Sequence, residues 1–213
     1  MTYSVKEIYL TLQGEGAQTG RAAVFARFAG CNLWSGREED RSTAPCWFCD
    51  TDFVGTNGPG GGKFAGAASL AGAIRACWDQ GTSQGSGTPY VVFTGGEPTL
   101  QLDEDLVSAC HVEGIEVAIE TNGTREVAAG VDWICVSPKP GSLVVQRRGQ
   151  EMKLVFPQEV APGSVEGWEF QHFFLQPRDG VDRESNTRAA IEHCLRHPKW
   201  RLSLQTHKLL GIP

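Results

Sequence analysis

The chain has 213 residues, 40% of them hydrophobic and 21% charged, with a formal net charge of −6 and a pI near 5.4. No Lys/Arg run appears, which excludes a protein built to hold nucleic acid or an anionic membrane surface. Nothing approaches the ~20 apolar residues of a membrane span, and the N-terminal stretch lacks the basic-then-apolar order of a secretion signal, so a cytoplasmic protein is expected.

The length suits one domain over 1–213 with a core of its own. Val5 to Leu12 alternates as a strand does, and Gln13-Gly14-Glu15-Gly16 ends it. Ala22 to Ala29 is a second strand, interrupted by Arg27, and the two pair as an N-terminal hairpin. Three cysteines follow with the spacing C-x14-C-x2-C, at Cys31, Cys46 and Cys49. A C-x-x-C pair alone reads equally as a zinc knuckle or a redox pair. Three thiolates are one short of a closed zinc site or a saturated iron–sulfur cluster, and the first histidine comes only at His111. An open metal position marks a catalytic centre. The other four cysteines, Cys77, Cys110, Cys135 and Cys194, lie in apolar runs and read as small buried hydrophobes.

Gly55 to Gly66 fails as a phosphate loop, since Lys63 is followed by Phe64 rather than Ser or Thr, and reads as a flexible connection. Ser69 to Gln80 has helical spacing with Ser69 as N-cap. Short apolar strands then alternate with helices. Tyr90 to Phe93 ends in T-G-G-E-P, Glu116 to Glu120 in E-T-N-G, and Trp133 to Val136 in S-P-K-P. Met152 to Phe156 closes with a proline, His172 to Leu175 ends in Q-P-R-D, and Arg201 to Leu204 runs into Q-T-H-K. Asp103 to His111 and Arg183 to Arg196 are helices. This is an α/β pattern with a parallel sheet. Functional side chains collect at the C-terminal ends of strands, as in (β/α) barrels, and the chain is too short for eight units. A partial (β/α)6-type barrel of about six parallel strands with reduced helices fits.

The cysteine triad after the first barrel strand, Gly95-Gly96-Glu97-Pro98 after the second and Glu120-Thr121-Asn122 after the third resemble radical S-adenosylmethionine enzymes. The fourteen residues between the first two cysteines depart from the usual C-x3-C-x2-C; 32–45 reads as an insertion, tolerable because loop-closure cost grows slowly with length. Five further stretches narrow the resemblance to the 7-carboxy-7-deazaguanine synthase family of queuosine biosynthesis: L-Q-G-E-G at Leu12, F-A-R-F-A-G-C at Phe25, C-D-T at Cys49, S-P-K at Ser137 and the ending L-Q-T-H-K-L-L-G-I-P.

That resemblance implies a lyase that contracts the ring of 6-carboxy-5,6,7,8-tetrahydropterin with loss of ammonia. It implies a 4Fe–4S cluster on Cys31, Cys46 and Cys49, with S-adenosylmethionine chelating the fourth iron. Phe48 would pack on the adenine, and Gly95, Gly96 and Glu97 would receive the methionyl amine. Glu120, Asn122, Ser137, Pro138, Lys139, Gln176 and Pro177 would line its ribose and carboxylate. Substrate would meet Leu12, Gln13, Gly14, Glu15, Thr94, His207 and Pro213, with Arg27 on its carboxylate. Thr51 would bind Mg²⁺. The implied partners are a flavodoxin-like or other one-electron donor and a second copy in a homodimer. Two other readings remain open here: an activase acting on a partner protein, and a zinc or electron-carrying module without catalysis.

Overall fold

The computed structural model describes residues 1–83 and 87–213. Nine strands form one sheet in the order β3-β1-β2-β4-β5-β6-β7-β8-β9. They are β1 (Thr2–Leu12), β2 (Ala22–Phe28), β3 (Gly62–Ala65), β4 (Tyr90–Gly95), β5 (Glu116–Thr121), β6 (Trp133–Val136), β7 (Arg148–Phe156), β8 (Glu169–Pro177) and β9 (Trp200–Leu202). The helices are α1 (Ala67–Gly81), α2 (Glu104–Val112), α3 (Arg183–Arg196) and the short α4 (Thr206–Leu210). No described helix is long and apolar enough to cross a membrane.

β1 and β2 form the expected antiparallel hairpin, and β2 then pairs in parallel with β4. From β2 to β9 every pairing is parallel. The parallel run therefore has seven members rather than about six, because the second hairpin strand turns over to join it. The sheet stays open between β3 and β9, as a partial barrel does. Helices of more than two turns are confined to the β3–β4, β4–β5 and β8–β9 connections among the described residues.

Two expectations fail. The Gly-rich connection contains β3, which adds antiparallel to β1 from Thr2↔Ala65 to Val5↔Gly62; alternating Lys63 and Phe64 with few apolar residues hides an edge strand. Helix α1 begins two residues before Ser69, capped by Gly66 without a side-chain bond. Asp103, by contrast, caps α2 by accepting from Leu106 N at 3.0 Å.

Strand alternation sorts the side chains onto two faces. Outward-facing Phe28, Phe93 and Ile119 pack with Leu70, Ile74 and Leu106 of α1 and α2. Met152, Leu154, Phe173 and Leu175 pack with Ala190 of α3 and with Trp200. A bulge between Val5 and Glu7 keeps Val5 and Ile8 in the core while releasing both Lys6 and Glu7 to the opposite side. The open edge is spanned from the C-terminal side: Thr206 N and Oγ1 both donate to Gly14 O, at 3.0 and 2.9 Å, and Gly16 N donates to Ser203 Oγ at 2.9 Å.

Candidate functional site

The inner face and the C-terminal ends of the parallel strands enclose a cavity of about 390 Å³, within the range that buries a small ligand. All three candidate cysteines line it, as do Arg27, Phe48, Thr51, Thr94, Gly95 and Gly96. Glu120, Asn122, Ser137, Lys139, Gln176 and Pro177 line a second side, and Leu12 to Glu15, His207 and Pro213 a third. Glu97 and Pro138 stand behind this wall. Glu97 is fully buried. Its carboxylate accepts from Thr99 N, Thr99 Oγ1, Thr121 Oγ1 and Asn122 N at 2.6–3.0 Å. It therefore welds the end of β4 to the end of β5, with its hydrogen bonds turned inward.

The segment 32–45 does not loop outward. Trp34 meets Phe53 edge-to-face with centroids 5.6 Å apart, and the two form a small core with Cys46, against which Cys31 and Cys49 pack. Arg41, on a 3-10 turn Glu38–Thr43, lies 4.3 Å from the Trp34 ring centroid and donates to Trp47 O and Cys49 O at 2.8 and 2.9 Å. This folds the long connection back so that Cys31 and the C-x-x-C turn face one space. Gly96 is pressed onto Gly30 and Cys31: a Cβ there would lie 2.0 Å from Gly30 O and 2.8 Å from Cys31 Cβ. Only glycine lets the β4 turn approach the cysteine segment so closely.

Among the described residues no three Cys, His, Asp or Glu side chains converge on a single-ion site. A zinc ion, with Zn–S bonds of about 2.3 Å, would draw its thiolates together. A 4Fe–4S cube spreads them over separate irons. Cys31, Cys46 and Cys49 line one cavity, and three thiols are the donor set that a 4Fe–4S cluster with one open iron would accept. Burial pushes the Cys31 thiol up, and the Cys46 thiol to about 11. Such thiols ionise when a metal supplies the compensating charge.

Arg27 Nε donates to Glu7 Oε1 at 2.7 Å and its Nη2 to Tyr9 Oη at 3.0 Å. Burial opposes its charge, but Tyr9 and Glu7 hold its pKa above the usual value. The cation is thus fixed in direction before any ligand arrives. Lys139 donates to Ser137 O and Oγ at 2.9 and 2.7 Å, and burial lowers its pKa against the pull of Cys46 and Cys49. Gly14 is packed under the His207 ring, where a Cβ would lie 2.2 Å from Nδ1. Thr11 Oγ1 donates to Pro213 O at 2.8 Å.

Several cavity residues escape sequence reading. Lys153 of β7 pairs with Glu15 and Glu120. Lys208 bridges Asp50, next to Cys49, and Asp179, at 2.6 and 2.7 Å. Glu7 and Tyr9 orient Arg27. The signal for Lys153 was its place at one parity of an otherwise apolar strand, Met152-Lys153-Leu154-Val155. Cys135 also differs from a small buried hydrophobe. It sits on the inner face with Sγ 3.4 Å from Glu151 Oε1, and burial raises its pKa well above the ordinary thiol. Cys110 is buried in the apolar core as expected, while Cys77 and Cys194 are only half-buried at its margins.

No protein-family model matches the chain. It is 63% identical over 214 residues to 7-carboxy-7-deazaguanine synthase of Bordetella pertussis and 61% identical over 214 residues to that of Caulobacter vibrioides, with both chains fully covered. The synthase of Bacteroides thetaiotaomicron is 39% identical, again over the full length of both chains. The crystal structure of QueE from Escherichia coli superposes with a TM-score of 0.71 at 29% identity, covering 96% of this chain and 94% of that one. The chain belongs to the 7-carboxy-7-deazaguanine synthase family of radical S-adenosylmethionine enzymes.

Proposed function

We propose that this chain converts 6-carboxy-5,6,7,8-tetrahydropterin to 7-carboxy-7-deazaguanine and ammonia in 7-deazapurine biosynthesis. The observation that carries the reading is a juxtaposition: three thiols, a pre-oriented arginine and the Thr94–Gly96 turn share one cavity of small-ligand size. Cys31, Cys46 and Cys49 would hold a 4Fe–4S cluster and leave one iron for S-adenosylmethionine. When bound, the pair supplies one-electron reduction and hydrogen-atom abstraction at C6 of the pterin.

The chain's own groups do the placing. The Gly95–Gly96 backbone receives the methionyl amine, with Glu97 acting from behind by fixing that turn. Phe48 covers the adenine. Glu120, Asn122, Ser137, Lys139, Gln176 and Pro177, with Pro138 in support, meet the ribose and carboxylate. Arg27 takes the pterin carboxylate, and Glu15 accepts from its N–H edge. Leu12, Gln13, Gly14 and Thr94 meet the ring, and His207 and Pro213 close over it from the C-terminal segment. Thr51, with a substrate oxygen, would bind Mg²⁺. The protein would act as a cytoplasmic homodimer fed by a flavodoxin-like or other one-electron donor. A concave, charge-lined cavity of small-ligand volume supports a small polar substrate over a protein substrate docked on a broad surface.

The test is anaerobic: reconstitute iron and sulfide, then supply reductant, S-adenosylmethionine, Mg²⁺ and the carboxypterin, and follow the deazapurine by mass. Product is expected, with deuterium from C6 passing through 5′-deoxyadenosine. Arg27→Gln should lower kcat/KM for the pterin about 100-fold. A label that never reaches the nucleoside, or turnover retained in Cys31→Ala, would overturn the assignment.

A further inference from the structure

β7 places one ammonium on the inner face. Lys153 is 4% exposed, with Nζ 2.6 Å from Glu15 Oε2 and 3.3 Å from Glu120 Oε2. The second oxygen of each carboxylate is also held: Glu15 Oε1 accepts from Gln205 Nε2 at 3.1 Å, and Glu120 Oε1 from Gln13 Nε2 at 3.0 Å. Gln13 in turn accepts from Glu15 N at 3.0 Å. The contacts close a ring, Lys153–Glu15–Gln13–Glu120, that joins β7, β5 and the loop after β1, with Gln205 attaching the C-terminal segment. The two carboxylates serve opposite halves of the cavity in the function proposed above, on which this inference rests.

We propose that Lys153 is a positioning residue that couples the two ligands: one ammonium orients Glu15 toward the pterin and Glu120 toward the ribose of S-adenosylmethionine. Seating either ligand then orders the carboxylate that the other one uses. Burial disfavours the Lys153 charge, yet Glu120 and Glu15 outweigh it and raise its pKa well above the ordinary lysine, so it stays a cation. Glu15 is correspondingly lowered, although burial pulls the other way. Glu151, two residues along on the same face, is raised by burial and so is pushed toward its neutral form. The ion pairs of Lys153 join it to two carboxylates, and the donor edge of a pterin fits the acceptor capacity left on Glu15.

The test is calorimetric titration of anaerobically reconstituted protein with the carboxypterin, with and without S-adenosylmethionine, no reductant being present. The wild-type protein should bind pterin about 10-fold more tightly when the nucleotide is present. Lys153→Met should weaken pterin binding about 100-fold and bring the two affinities together, while the cluster absorption spectrum stays unchanged. Should Lys153→Met fail to fold, Glu120→Gln/Lys153→Met restores the net charge of the wild-type cluster, and it too should show no difference between the two titrations. Undiminished coupling in either variant overturns the role of Lys153. Equal pterin affinities in a wild-type protein that makes the deazapurine overturn the coupling alone. A wild-type protein that makes no deazapurine overturns the activity and, with it, this role.

Discussion

The two faces of the same sheet divide the protein's tasks. Leu154, Met152, Phe28, Ile119 and Leu175 point outward and are buried against helices or apolar neighbours. Their neighbours in sequence, Lys153, Glu151, Arg27, Glu120 and Gln176, point inward and carry hydrogen bonds or ion pairs. A period of two separates them, so one residue's step along a strand exchanges stability for chemistry. Outer-face residues are interchangeable apolar volume. Inner-face residues are particular groups in particular directions.

The largest effect expected from this division is on the outer face. Leu154 is fully buried, and Leu154→Ala should cost about 2–5 kcal/mol of unfolding free energy through lost transfer energy and the cavity left behind. Measured by urea denaturation, that loss should come with unaltered pterin KM in the folded protein. A raised KM without a stability change would mean that the faces are not separable. The next effect belongs to the inner face. Gly14→Ala drives a methyl into the His207 ring, which costs about 1–3 kcal/mol where the neighbour must move. Because the ring belongs to the C-terminal segment closing the cavity, the cost should fall on pterin affinity, raising KM about 10-fold. Equal KM with lowered thermal stability would place that ring outside substrate contact.

Glu151 sharpens the comparison through pH. Burial raises its pKa, with Lys153 and the Ala17 N–H opposing. A carboxyl raised in the folded state contributes stability that is complete below the ordinary glutamate pKa of about 4.3 and is lost as pH rises through the folded value. Gln does not titrate. The stability of Glu151→Gln relative to wild type should therefore increase as pH is raised above that range. Urea midpoints of both proteins across the range check this, and a pH-independent difference would show that Glu151 is not held toward its neutral form.

Much of the outer face was legible in sequence, because apolar runs ended at Gly- and Pro-rich turns mark strands and their C-terminal ends. Trp133–Val136 and Arg183–Arg196 fall where their patterns place them. The site was legible at those same ends and through the resemblance that the cysteine triad and later motifs carry. The inner face was legible only near strand ends, where the motifs carry Arg27, Glu120 and Gln176. Lys153 sits in an apolar run with no neighbour in sequence to explain it; its partners are 138 and 33 residues away. Its role arises from register between strands, which local periodicity does not encode. Strand β3 escaped because an edge strand of four residues beside glycines pairs through backbone alone. Ser69 misled because a serine inside a first helical turn looks like a cap until the chain before it is seen to be helical as well.

The smallest effect belongs to neither face. On α3 the side buried against the sheet carries Ala190 and Asn186, whose Nδ2 donates to Arg178 O at 2.9 Å. On the solvent side Arg188 pairs with Glu184 at 2.7 Å, with side chains 70% and 86% exposed. An ion pair one helical turn apart in water gains little Coulomb energy, is screened by salt and restrains two long side chains. Arg188→Ala should shift the unfolding free energy by less than about 0.5 kcal/mol and leave both ligand affinities unchanged. A loss above about 1 kcal/mol at physiological salt exceeds what such a pair contributes. It would mean that the outer side of α3 is packed against something in solution, and that stability in this protein is not confined to the core beneath the sheet.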